Sequence, residues 1–168
     1  MTSEVNPIPS LIKLYAKRYA VPHALVVCMV LQESGGNPKA TRWEPKFYQK
    51  YIEGPLGRGK KLPGYMPKDL TQAEYLQELK NRAISWGLLQ TMGQVAREMN
   101  FRGKYLETLM DPAINLDVGC RFIRRLQSRY GMDEHALLLR WNGGGDPNYP
   151  DEVQAWRSSS RFSELYLP

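Results

Sequence analysis

Cysteine and histidine are nearly absent from this 168-residue chain, at two of each, and their placement excludes more than their number does. Cys28 and Cys120 lie far apart in apolar or helical segments, without the close pairs that build a zinc site or a redox motif, so buried free thiols are expected. His23 and His135 have no cysteine or carboxylate at ligand spacing, so no metal is expected, nor any other cofactor. Long apolar runs are also missing, and the opening MTSEVNPIPSLIK carries an acidic residue and no hydrophobic stretch. It reads as neither a secretory signal nor an anchor, which implies synthesis in the cytoplasm and no stable membrane insertion. No repeat or low-complexity segment is present, and alternating apolar and polar residues are scarce, which leaves little room for sheet.

What is present is an ordinary globular composition, 42% hydrophobic and 24% charged, in a length that suits one domain over residues 1–168. The net charge of +6 implies attraction to a polyanion, whether nucleic acid, an anionic membrane surface or a cell-wall polymer. The basic residues are dispersed, with short clusters at Arg58 to Lys61 and Arg121 to Arg129, and the second reads as a solvated helix face.

Apolar spacing of three and four residues predicts helix nearly throughout. Pro9 and Ser10 open a first helix through Ala20; Pro22 opens a second that Gly35 and Gly36 stop. Glu44 to Glu53 reads as a short helix closed by Gly54, followed by an exposed loop, GPLGRGKKLPGYMPKD, too rich in glycine and proline for helix. Thr71 with Glu74 forms a capping-box signature for a helix from about Gln72 to Arg82, and Ser85 is placed to cap the next element, carrying WGLLQTMGQVAREM. Asp111-Pro112 opens the longest helix, through Tyr130, with Ile114, Val118, Phe122 and Leu126 on one stripe. DEHALLLRW gives another helix, ended by Asn142 and three glycines, and YPDEVQAW begins a last one.

One residue breaks the apolar pattern where chemistry would want it. Glu33 continues the line of Val26, Met29 and Val30 along the second helix, so it inherits the direction of a buried stripe. It also sits in the last turn, where the helix dipole disfavours an anion. Desolvation and dipole both favour the neutral acid, the state a general acid needs. Elsewhere, Gln90 follows a glycine and two leucines, so backbone can pass close to a ligand while an amide offers both a donor and an acceptor. The bland alternative for Gln90 is an incidental residue on a capped core helix, and for Asn142 a bare helix stop.

Glu33-Ser34 after an apolar helix, SWGLLQTM at Ser85 to Met92, RWNGG at Arg140 to Gly144, and Tyr149 ahead of Val153 stand in one order. That order resembles the motifs of the soluble lytic transglycosylase domain of the lysozyme-like superfamily, over about Ala24 to Val153. The resemblance implies a mainly α, lysozyme-like fold of the goose-type lysozyme and lytic transglycosylase kind. It would be a single domain of about eight helices, with a long inserted loop at about 43–83. It further implies cleavage of the β-1,4 bond between N-acetylmuramic acid and N-acetylglucosamine in peptidoglycan. Glu33 would protonate the glycosidic oxygen and then deprotonate the muramoyl 6-hydroxyl, which closes a 1,6-anhydro ring. Ordinary glycosidases need two carboxylates; here the substrate supplies its own nucleophile.

By position, Gln90, Trp141, Asn142 and Tyr149 would bind substrate, and the resemblance implies a Tyr149 hydroxyl near the catalytic carboxyl and the bound N-acetyl group. Trp141 replaces the tyrosine usual in the family, so a hydroxyl hydrogen bond there is expected to be lost, and Arg140 replaces a small residue. The serine that usually orients the glutamate is missing from NPKATRWEP, which leaves Thr41 and Ser85 as the candidates and Arg42 as a complication. Glu44 reads as a first-turn residue or a partner of Arg42, and Asp146 and Asp151 as turn or cap residues. In the insertion, Phe47, Tyr48 and Tyr51 read as packing residues, with a glycan groove that includes Tyr65 as the alternative. The form with RWEP and a long loop is similar to phage and prophage endolysins. That implies a monomeric, bacteriolytic enzyme acting on glycan strands of the cell wall, delivered by a second, holin-like protein, with no nucleic-acid partner. The rivals are a hydrolytic muramidase on the same fold, a non-catalytic wall-binding module, and a basic nucleic-acid binder that leaves the four motifs unexplained.

Overall fold

The computed structural model describes residues 7–131 and 133–166, so residues 1–6 of the opening segment lie outside the described part. The chain is mainly helical, as expected of a lysozyme-like fold. In order it forms α1 (Ile8–Arg18), α2 (His23–Ser34), β1 (Thr41–Trp43), α3 (Pro45–Phe47), α4 (Gly54–Gly57), α5 (Gln72–Asn81), β2 (Ile84–Trp86), β3 (Thr91–Met92), α6 (Gly93–Glu98), α7 (Pro112–Tyr130), α8 (Glu134–Trp141), α9 (Tyr149–Ala155) and α10 (Ser160–Leu165). No described helix is long and apolar enough to cross a membrane. The backbone divides into two compact units, Met1–Gly36 with Gly119–Pro168, and Asn37–Val118.

The first unit is built around α2. Leu25 to Leu31 are seven consecutive buried residues, so the helix is enclosed on all sides rather than along a stripe. Full burial of each larger side chain contributes roughly 1.5–3 kcal/mol. Pro22 is extended just before the helix, and Gly35 ends it in a left-handed turn, φ 60°, that returns its N–H to Leu31. Cys28 and Cys120 are buried and share no disulfide, as expected, and burial pushes the Cys28 thiol up. On α7, Arg124, Arg125 and Arg129 are exposed, in keeping with a solvated basic face.

At the other end of α2, His23 stacks on Tyr166 with ring centroids 4.5 Å apart, and its Nε2 is buried without a hydrogen-bond partner among the described residues. Burial, reinforced by the nearby Lys13 cation, lowers the His23 pKa. The unfolded chain therefore takes up this proton first. The neutral imidazole's contribution is complete above about pH 6.5 and is lost as pH falls below it. Melting temperature measured between about pH 7.5 and 5 should fall with acid, and His23→Phe should flatten that slope. A variant that keeps the wild-type slope contradicts the assignment.

The second unit contains a small antiparallel sheet in the order β1-β2-β3, with Arg42 opposite Ser85 and Ser85 opposite Met92. Its presence divides the segment Trp86 to Met99, read as one element capped by Ser85. Ser85 is a buried strand residue, not a cap, and only Gly93–Glu98 is helical. Two- and three-residue strands are too short to show an alternation. The helix begun at Pro45 does not stop at Gly54 either. It widens over Tyr48–Glu53 and continues through Gly57, because Pro55 stands in the first turn of α4, where its missing N–H costs nothing. The capping box is present: Glu74 N–H donates to the Thr71 hydroxyl and Thr71 N–H to the Glu74 carboxylate.

Residues that looked like an exposed loop are held from inside. Ile52, Leu79 and Ala83 form a core joined by Phe47, Tyr48, Leu56, Leu62, Met66 and Tyr75, so Phe47 and Tyr48 pack as expected. Tyr51 is 47% exposed, against the packing reading. Beneath the loop, Arg82 and Arg97 are fully buried with Glu78 between them, at 3.0 and 2.8 Å. Arg82 also donates to the carbonyls of Pro63 and Tyr65, and Arg97 to those of Phe101, Gly103 and Lys104. Gly64, at φ 82°, passes so close to Arg97 that a Cβ would lie 2.5 Å from its carbonyl carbon.

Candidate active site

Glu33 stands one residue from the end of α2, half-buried, where the last turn leaves the enclosed core. Two donors from far along the chain converge on one of its oxygens. The Trp141 indole Nε1–H donates to Oε1 at 3.0 Å, and the Tyr149 hydroxyl donates to the same oxygen. Trp141 is the last residue of α8 and leans on Phe122 of α7, with ring centroids 5.3 Å apart. Tyr149 is the first residue of α9 and is 8% exposed, so it is no loose loop tyrosine. The hydrogen bond expected to be lost with a tyrosine at position 141 is therefore made by an indole instead.

The chemistry of the trio follows from its donors. An indole N–H donates and cannot accept, so Trp141 never competes for a proton. Burial first, then the adjacent Glu33 charge and hydrogen bond, raise the Tyr149 pKa, and the phenol stays a donor. Glu33 is thus the one carboxyl of the three. Negative charge on it meets two donors already in position.

The loop joining the two donors is closed by Asn142, whose Nδ2 donates to the Asp146 carbonyl at 2.9 Å. Asp146 Oδ1 in turn accepts from the Asn148 N–H, the turn role read for it. Gly143 and Gly144, both at positive φ, let the chain leave α8 sharply. Asn142 Oδ1 is buried without a hydrogen-bond partner among the described residues.

The remaining candidates belong to the second unit. Gln90 lies in the turn between β2 and β3 with a left-handed backbone, φ 45°, rather than on a helix. Its Nε2 donates to the carbonyls of Ala40 and Gly87 at 3.0 and 2.9 Å. Both amide protons are thereby used, and Oε1 is the atom it can offer. Thr41 follows Ala40 and is exposed on β1, opposite Trp86, while Ser85 is buried on β2. Arg42 is engaged by Glu44 at 2.5 Å, the pairing read for that carboxylate.

Asn115 was not singled out by the sequence, and it organises this turn. Its Oδ1 accepts from Leu89 N–H, and its Nδ2 donates to the Trp86 and Leu109 carbonyls. Gly87 is required beside it: a Cβ there would lie 2.6 Å from Asn115 Nδ2. A polar residue between Ile114 and Leu116 inside a long helix was the available signal. Among the described residues, no three His, Cys, Asp or Glu side chains gather as metal ligands would.

A family model described as Transglycosylase SLT domain matches residues 10–160. No curated protein and no solved structure matches the chain.

Proposed function

Because the chain belongs to the transglycosylase SLT family, whose members are lytic transglycosylases of peptidoglycan, we propose that Glu33 is its single catalytic acid and base. On this reading, Glu33 donates its carboxyl proton to the oxygen between N-acetylmuramic acid and N-acetylglucosamine. It then takes the proton of the muramoyl 6-hydroxyl as that oxygen closes on the anomeric carbon. One proton leaves the carboxyl and one returns, so no water is consumed and the product is a 1,6-anhydro sugar. The observation that carries the reading is the convergence of Trp141 and Tyr149 on Glu33 Oε1. Gln90 Oε1 and Thr41 are proposed to serve the glycan, while Ser85 and Asn142 Oδ1 are buried away from it, and the chain is proposed to act as one catalytic domain of a phage-type lysis enzyme.

Purified sacculi test it. Release of soluble muropeptides by the protein supports catalysis, and binding to sacculi with no release sinks it in favour of a wall-binding module. Removing one donor should hurt less than removing the acid. Tyr149→Phe and Trp141→Phe are each expected to lower kcat about 10- to 100-fold with apparent KM little changed. The combined variant should fall further, and full activity in it would show that the two donors are idle.

A further inference from the structure

The residue before Glu33 faces α9 as well. Gln32 Nε2 donates to Glu152 Oε2 at 2.9 Å, and Gln32 Oε1 accepts from the Trp156 indole N–H at 2.8 Å. Trp156 opens the short turn that continues α9. Positions 149, 152 and 156 recur at the three- and four-residue spacing of one helix face. Along that face, Tyr149 meets Glu33 while Glu152 and Trp156 meet Gln32. Two adjacent residues of α2 are thus tied to one face by three side-chain hydrogen bonds. The amide is the group that fits this place, since it must donate to a carboxylate and accept from an indole at once. Both of its ends are occupied, which fixes its orientation.

We propose that Gln32 is a positioning residue for catalysis: its bridge to Glu152 and Trp156 sets the rotation and register of α9 that place the Tyr149 hydroxyl on Glu33. The proposal rests on the reading of Glu33 as the acid. The bridge is neutral at Gln32, so it holds through both protonation states of its neighbour. A shift of α9 by a fraction of an ångström would lengthen the Tyr149 bond before anything else in the site moved.

Two readouts test it on the full chain. Kinetics on purified peptidoglycan should show Gln32→Ala lowering kcat about tenfold, with apparent KM within about twofold of wild type. Trp156→Phe should lose less, and Gln32→Ala with Trp156→Phe no more than Gln32→Ala alone, because the two changes break one bridge. Glu152→Ala should be impaired, and Glu152→Gln, which keeps an acceptor, should restore most of the loss. The second readout needs no substrate: at a fixed pH the indole N–H resonance of Trp141, which reports its bond to Glu33, should move in Gln32→Ala and stay near wild type in Glu152→Gln.

Wild-type kcat and an unmoved Trp141 resonance in Gln32→Ala overturn the proposal. So does equal impairment of Glu152→Gln and Glu152→Ala, which would make the charge rather than the hydrogen bond responsible. If Gln32→Ala fails to fold, Trp156→Phe carries both readouts. A wild-type protein that leaves peptidoglycan intact while its Trp141 resonance responds to Gln32→Ala overturns the functional reading and keeps the positioning one.

Discussion

Glu33→Gln is expected to lower the release of soluble muropeptides from purified peptidoglycan by about 10,000-fold, at the upper end for loss of a general acid. The magnitude follows from asking one group to act twice. It first gives a proton to the leaving oxygen and then takes one from the attacking hydroxyl, and an amide can do neither. The substitution is also unusually clean. The amide oxygen of glutamine can still accept from Trp141 and Tyr149, so both donors keep their partner and the end of α2 keeps its packing. Melting temperature should therefore stay close to wild type while activity disappears. Residual activity above about 1% of wild type would remove Glu33 from its role.

The largest effect on stability is expected far from that chemistry. Glu78 is the carboxylate shared by two fully buried guanidinium groups. Burial, and then Arg97, weaken the hold of Arg82 on its proton, and Glu78 is what opposes them. Glu78→Gln leaves two buried cations facing one another with no anion, a change that costs about 3–5 kcal/mol in comparable buried pairs. The loss should show in urea denaturation. It should also show as tryptic cleavage at the exposed Lys60 and Lys61, because Arg82 holds the carbonyls of Pro63 and Tyr65 just beyond them. A loss under about 1 kcal/mol would mean that the backbone carbonyls alone satisfy the two arginines.

These two residues also mark what could be read from the chain beforehand. Glu33 was legible because its signal is local. An apolar helix with Pro22 before it and Gly35 after it needs no distant partner to be recognised, and the glutamate interrupts it at a fixed place. The Thr71–Glu74 cap and the start of α7 at Asp111-Pro112 were legible for the same reason. What orients Glu33 was legible only in part: the resemblance placed the Tyr149 hydroxyl near it, but Trp141, also more than a hundred residues away, is brought to it by tertiary packing alone. Reading Trp141 as a lost hydroxyl overlooked that an indole is still a donor. The loop at 54–69 misled in another way. Glycine and proline report backbone freedom, but the anchors of this loop are Arg82 and Arg97, charged residues whose burial no local pattern announces. The turn that holds Gln90 was not legible, because strands of two and three residues carry too little period to compete with the helical spacing around them.

In the proposed reaction the sugar's own hydroxyl, and not water, displaces the leaving group at a site with one working carboxyl. Digestion of purified peptidoglycan in water enriched in oxygen-18, followed by mass spectrometry of the released muropeptides, separates the two. Anhydro-muramoyl ends with no heavy oxygen incorporated are expected. Reducing muramoyl ends that each carry one oxygen-18 would rule the reaction out and identify a hydrolytic muramidase.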